Sequence, residues 1–391
     1  MRRIGVVTVA RSDYGIYLPV LREIQADPDL ELFLIVGGMH LSPEFGLTVN
    51  AIEEDGFEIA ERVEMSLASD TPEGIAKSMG LGIIGLAQVY TRSRPSMLMV
   101  LGDRFEMHAA ALAALPFKIP VAHIHGGELT EGAIDDALRH SITKLSHLHF
   151  VATEEYADRV IQLGEEPWRV VVTGAPSLDN LRSFEPMDGA QMEAAYGISM
   201  NVAPLLVTFH PVTLEYKDAH WQVDALLAAL EECGLPVVFT LTNADTSGRT
   251  VMRMVDEFVG KHPTACIVDN LGTQAYFSLM SLCAAMVGNS SSGIIEAASF
   301  RLPVVNIGTR QQGRSRARNV IDVGYDRTEI LDGIRKALRP DFRQALANLE
   351  NPYDCGRASD KIVHRLKHVE LNEGLVRKRF HDLKPSTSLA G

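Results

Sequence analysis

Asp103, Glu128 and Asp135 stand just beyond apolar runs or at a helix start, where a carboxylate at a sheet edge could move protons. Asp103 follows Met97–Leu101 in the run Gly102-Asp103-Arg104-Phe105-Glu106. Glu128 follows Val121–Ile124 in His125-Gly126-Gly127-Glu128. Asp135 opens a helix in which Arg139, four residues on, shares its face. Taken singly, each acid reads as an ordinary surface or helix-favouring group, and Asp135 with Arg139 as a surface ion pair. Converging at one edge of one domain, the three read as an acid/base cluster. Their mutual repulsion predicts that some of their pKa values are raised.

A second set of residues is suited to phosphate. Gly288-Asn289-Ser290-Ser291-Ser292-Gly293-Ile294-Ile295-Glu296 follows the apolar run Cys283 to Val287 and reads as a strand end, a hydroxyl-rich turn and a helix start. Unpaired N–H groups at that start, the positive end of the helix dipole and the hydroxyls of Ser290 and Ser291 would together hold a diphosphate. Glu296 lies one turn beyond Ser292 on the same face, where its carboxylate can accept both hydroxyls of a ribose. Arg310 is the first cation past Val304–Ile307 and the nearest to this turn, whereas Arg316 and Arg318 read as solvated. Arg11, at the tip of the first strand, offers a guanidinium clamp, with a surface pair to Asp13 as the plainer alternative. His210 follows Leu205–Phe209 where Pro211 interrupts the backbone ladder, so it is expected to face a cleft. Asn243, after Val237–Leu241, is placed as a base or ribose partner. His123 and His125 beside Glu128 invite a metal, but HxH on a strand puts both rings on one face with no evident third ligand, and no metal site is expected.

The elements that must position these residues follow from periodicity. In the first half, short apolar strands at Ile4–Val9, Leu32–Val36, Met97–Leu101, Val121–His125, His149–Ala152 and Val170–Thr173 alternate with amphipathic helices, as parallel βαβ units do. After a Gly-, Pro- and Ser-rich break at Gly174–Asn180 and Ser183–Asp188, the second half repeats the theme. The fold class is therefore α/β, with two Rossmann-like doubly wound domains spanning 1–181 and 182–365, and a helix and tail, 366–391, returning to the first. In open sheets of this kind ligands bind beyond the carboxyl ends of the strands, where the residues above lie.

Composition agrees with that architecture. The chain of 391 residues is 46% hydrophobic and 22% charged, enough for two cores. A formal net charge of −13 argues against nucleic acid or an anionic membrane as partner, and leaves room for a few arginines around one small anion. No apolar run approaches the ~20 residues of a membrane span, and the first residues carry no secretory pattern. Cys233, Cys266, Cys283 and Cys355 form no CxxC pair. A cytoplasmic protein with reduced thiols is expected.

Taken in order, ARSDYG, GDRFE, HIHGGELTEGAIDDALRH, GAP, TFHP, TNAD, GNSSSGIIEA and VVNIGTRQQGR resemble the hydrolysing UDP-N-acetylglucosamine 2-epimerase family, over a stretch from Arg11 to about Val323. The resemblance implies the two-domain glycosyltransferase-B architecture, an active site in the interdomain cleft and a homo-oligomer, a dimer or tetramer. It also implies anti elimination of UDP from UDP-N-acetylglucosamine, then hydration of the glycal to N-acetylmannosamine, with no metal or redox cofactor. On the same resemblance Asp103, Glu128 and Asp135 are the acid/base candidates and His210 assists at the departing diphosphate. Arg11, Asn243, Ser290, Ser291, Glu296 and Arg310 hold the nucleotide, Arg104 lies near the phosphates or sugar, and Arg139 is placed with these nucleotide- and substrate-binding residues. Asp13-Tyr14 stand where non-hydrolysing relatives carry a GTRPE-like start. GDP-N-acetylglucosamine and UDP-N,N′-diacetylbacillosamine are alternative substrates within the family; a glycosyltransferase and a catalytically silent sensor are the alternatives outside it.

Overall fold

The computed structural model describes all residues except 68–70, 132, 211, 213–217, 241–247, 269–270 and 384–391. Seven strands, β1 (Arg2–Thr8), β2 (Leu30–Gly37), β3 (Ile59–Val63), β4 (Met97–Leu101), β5 (Val121–Ile124), β6 (Leu148–Val151) and β7 (Val170–Val172), form one parallel sheet in the order β3-β2-β1-β4-β5-β6-β7. Six more, β8 (Leu205–Thr208), β9 (Val237–Thr240), β10 (Ala265–Val268), β11 (Ala285–Gly288), β12 (Val304–Ile307) and β13 (Val320–Val323), form a second in the order β10-β9-β8-β11-β12-β13. Both orders reverse direction once, between β1 and β4 and between β8 and β11. The crevices that open at these switch points make the two-domain glycosyltransferase-B architecture.

Central strands are covered on both faces by helices, so they read as largely apolar runs; every residue of β4 is buried. Two of the four edge strands depart from this pattern. β3, with Glu61 and Arg62 among its five residues, and β13, with Asp322, carry polar residues at the sheet margin, and neither appears in the strand reading of the sequence for that reason.

The chain returns to the first domain earlier than expected. Ile362, Val363 and Leu366 of the helix Ala358–His368 pack into the first domain's core, so the sequence-based boundary at 365/366 falls inside this helix. Its start is capped by Asp179 of the first crossing, whose carboxylate accepts the Ala358 and Ser359 N–H groups at 3.1 and 2.7 Å. Beyond it, Arg169 Nη1 donates to the Leu375 carbonyl at 2.8 Å and pins the segment that follows. Among the described residues no helix is long and apolar enough to cross a membrane.

Candidate functional site

Register brings the tips of β4 and β5 side by side. Leu101 pairs with Ile124, and the next residue, Gly102, donates its N–H to the Ile124 carbonyl at 2.9 Å. Asp103 and the His125–Glu128 turn therefore share one edge. Arg139, buried on the helix Ile134–Leu145, ties them together: it forms an ion pair with Asp103, lies 3.7 Å from Glu128, and donates to the His125 carbonyl at 3.1 Å and the Thr130 hydroxyl at 2.9 Å. Asp135 occupies the second position of the same helix, one turn before Arg139. Asp103 keeps a quarter of its side chain exposed, whereas that of Glu128 is almost wholly buried.

The mutual repulsion expected of these acids does not govern Glu128. Although burial opposes its charge, its carboxyl is held well below the usual carboxylate range by His125, Arg314 and Arg139. Arg314 reaches it from the second domain at 3.2 Å, and on the way donates to the Leu129 carbonyl at 2.8 Å. No role was assigned to Arg314 from the sequence, though it stands four residues after Arg310 in the same cation-rich loop. The HxH reading also needs correction. β5 ends at Ile124, and His125 takes a left-handed φ of +63°, so its ring leaves the strand pattern and meets Glu128, Nδ1 to Oε1, at 2.5 Å. His123 stays in the strand and bonds the Gly102 carbonyl at 2.8 Å and Thr143 at 3.2 Å.

The second wall is built at the β8/β11 switch point. Gly288 adopts a φ of +133°, and a Cβ there would come within 2.0 Å of the Thr208 carbonyl oxygen, so only glycine lets the turn lie against β8. Asn289 and His210 then lock reciprocally: the His210 N–H donates to Asn289 Oδ1 at 2.7 Å, and Asn289 Nδ2 donates back to the His210 carbonyl at 2.8 Å. Burial and the nearby Arg310 hold the His210 imidazole neutral, well below its usual pKa. Arg310 Nη1 donates to the Asn289 carbonyl at 3.0 Å, at the hydroxyl-rich turn where the sequence reading places it.

The helix after that turn is shorter than expected. Ser292–Ile295 is one α-helical turn that passes into a 3-10 turn, Ala297–Phe300, so a long helix dipole is absent and Ser290 Oγ accepts the Ser292 N–H at 3.3 Å. Ser290 and Ser291 remain partly exposed beside the buried Asn289. Glu296 is buried, its carboxylate accepting the hydroxyls of Ser292 at 2.7 Å and of Ser177, from the domain crossing, at 2.5 Å. Burial raises its pKa above the usual value.

At the β1 tip, Arg11 is exposed, and Asp13 is not its surface partner. Asp13 is turned inward, accepting the Thr8 hydroxyl and the N–H groups of Val9 and Ala10, so it shapes the turn that presents Arg11. Thr8 continues to His40 Nε2 at 3.0 Å. Arg104 is held by the buried Glu106 at 3.0 and 3.1 Å. Arg316 is not simply solvated: it pairs with Asp322 and donates to the Gln311 carbonyl at 2.7 Å, while Arg318 reaches the Asn348 carbonyl at 3.5 Å. Asn243 and Pro211 lie outside the described residues. Among the described residues no three His, Cys, Asp or Glu side chains are grouped to hold a metal ion.

A family model described as UDP-N-acetylglucosamine 2-epimerase matches residues 22–367. The chain is 39% identical over 385 residues to the GDP/UDP-N,N′-diacetylbacillosamine 2-epimerase (hydrolyzing) of Campylobacter jejuni, covering 98% of this chain and 99% of the relative. It is 36% identical over 379 residues to the UDP-N,N′-diacetylbacillosamine 2-epimerase (hydrolyzing) of Legionella pneumophila, covering 97% and 99%. In fold it is similar to the UDP-GlcNAc 2-epimerase of Neisseria meningitidis solved bound to UDP-GlcNAc, with a TM-score of 0.79 at 22% identity over 94% of this chain and 99% of that one.

Proposed function

This chain belongs to the UDP-N-acetylglucosamine 2-epimerase family, and we propose that it is a hydrolysing member: it converts a nucleoside-diphosphate 2-acetamido sugar and water into the free 2-epimer and the nucleoside diphosphate. In the first step a base takes the C2 proton, the C2–H electrons form the C1=C2 bond, and the C1–O electrons leave with the diphosphate. In the second, water supplies hydroxide to C1 and a proton enters C2 on the opposite face. The C2–H is a weak carbon acid, so both a positioned base and a stabilised leaving group are required. What carries the reading is the pairing of the acid edge at β4 and β5 with the Ser290–Arg310 wall of the other domain, joined through Arg314 and Glu128. Asp103, Glu128 and Asp135 belong to the proton-transfer side. Arg11, Ser290, Ser291, Glu296 and Arg310 grip the nucleotide, Asn243 reads its base or ribose, and neutral His210 donates or accepts a hydrogen bond at the departing diphosphate. Arg104 faces the sugar-phosphate side.

The sequence places UDP-N-acetylglucosamine first among substrates. The names carried by the relatives at 39% and 36% identity move the nucleotide-linked N,N′-diacetylbacillosamine ahead of it. Separate incubation with UDP-N-acetylglucosamine, GDP-N-acetylglucosamine and the UDP- and GDP-linked N,N′-diacetylbacillosamines tests both levels. Release of a nucleoside diphosphate with a free 2-epimer from one of the diacetylbacillosamine substrates is expected. Preferred turnover of an N-acetylglucosamine substrate would reverse the ranking, and no turnover of any would end the hydrolysing reading.

A further inference from the structure

Glu128 is the most buried of the three acids, and every group around it already uses its charge. Two guanidiniums, from Arg139 and Arg314, and the His125 ring surround it. A carboxylate held that far below its usual range is a poor acceptor for a carbon-bound proton. Its nearest contact suggests a different use. Glu128 Oε1 meets His125 Nδ1 at 2.5 Å, and because the carboxylate is ionised and can only accept, Nδ1 must carry the hydrogen. In the neutral ring the lone pair then lies on Nε2.

Three observations then single out Nε2. His125 is only 4% exposed, and Nε2 is buried with no hydrogen-bond partner among the described residues, although buried imidazole nitrogens are ordinarily satisfied. The residue holds a left-handed φ of +63° just past the end of β5, a conformation fixed by its own N–H donating to the Phe150 carbonyl at 3.0 Å and by Arg139 at its carbonyl. The ring also lies within electrostatic reach of Glu296 of the second domain. Strain, an orienting carboxylate and an unsatisfied nitrogen coincide on one side chain.

We infer that His125 is the general base of the elimination step, its Nε2 accepting the sugar C2 proton, and that Glu128 is a positioning residue which fixes the Nδ1–H tautomer. The inference rests on the hydrolytic reading above. Proton and electrons balance within the step already written: the proton passes from C2 to Nε2, and the imidazolium formed is stabilised by Glu128. Arg139, Arg314, His123, Glu296, Tyr156 and Tyr353 are the other charged or titratable groups that act on this pair, and Asp103 and Asp135 are left for the return of a proton to C2.

The test uses the full chain and the substrate that the wild type turns over. His125→Asn should lower kcat about 100-fold or more with KM within about threefold, and added imidazole should restore part of the activity. Glu128→Gln should lower kcat less. In 15N-labelled wild-type protein the His125 ring should show the Nδ1–H tautomer, and in Glu128→Gln a mixture. If His125→Asn keeps kcat within threefold of wild type, the inference is wrong while the hydrolytic reading stands. Wild-type protein inactive on every sugar would overturn that reading and this inference with it, and an Nε2–H tautomer in wild type would overturn the dyad in either case.

Discussion

On the proposed function Glu296 and Asp103 stand at the two ends of a division of labour, one assigned to the nucleotide and one to the proton transfers. Glu296→Ala should weaken nucleotide binding by about 10- to 100-fold, the worth of one or two charge-assisted hydrogen bonds, with kcat changed little. Asp103→Asn should lower kcat by about 100-fold or more with nucleoside diphosphate affinity nearly unchanged. Kinetics beside calorimetric titration of the diphosphate separate the two, and equal effects on both quantities would contradict the division. Asp13 allows a test by pH. Burial raises its pKa from the ordinary value of about 4 to about 7, so the native state holds the proton more tightly than the unfolded chain. Its contribution to stability is therefore complete below about pH 4 and is lost as pH rises to about 7. Asp13→Asn abolishes that titration, and its Tm relative to wild type should climb from pH 5 to pH 8; a constant difference would show that Asp13 is not so perturbed.

Strand ends were legible because parallel sheets bury their strands on both faces and release the chain at the ligand edge. The runs before Asp103, His125, His210, Ser290 and Arg310 are mostly apolar, and a reader of sequence meets each site residue within three residues of the end of one. β3 and β13 were not legible, since polar residues at the sheet margin break the run. Nor was the short turn after Ser291, which local composition cannot distinguish from a longer helix. Gly288 shows how much one strand end can demand. Gly288→Ala puts a methyl carbon against the Thr208 carbonyl in a backbone region that alanine avoids. It should cost about 3 kcal/mol or more, read as a drop in Tm with nucleotide binding lost in parallel. A Tm within a degree of wild type would mean that the turn lies elsewhere.

The domains are held together by contacts between residues far apart in sequence, and these had no local signature. Ser315 donates its N–H to the Tyr156 hydroxyl at 3.0 Å, Tyr156 and Tyr353 share a hydrogen bond at 2.7 Å, and Tyr353 donates to the Ser315 carbonyl at 3.0 Å. This ring fastens the loop bearing Arg310 and Arg314 to the first domain and to the returning chain. Tyr353→Phe opens the ring while keeping the packing, so hydrogen exchange across residues 308–318 should quicken by about tenfold; unchanged exchange would remove the ring as a fastening. On the proposed function the acid edge and the phosphate wall act on one substrate, and the account stands on what happens at its C2. Turnover in deuterated water, followed by NMR of the released sugar, reads that directly. The account predicts a free 2-epimer carrying one solvent deuteron at C2. A product with protium at C2, or with the starting configuration there, would contradict it.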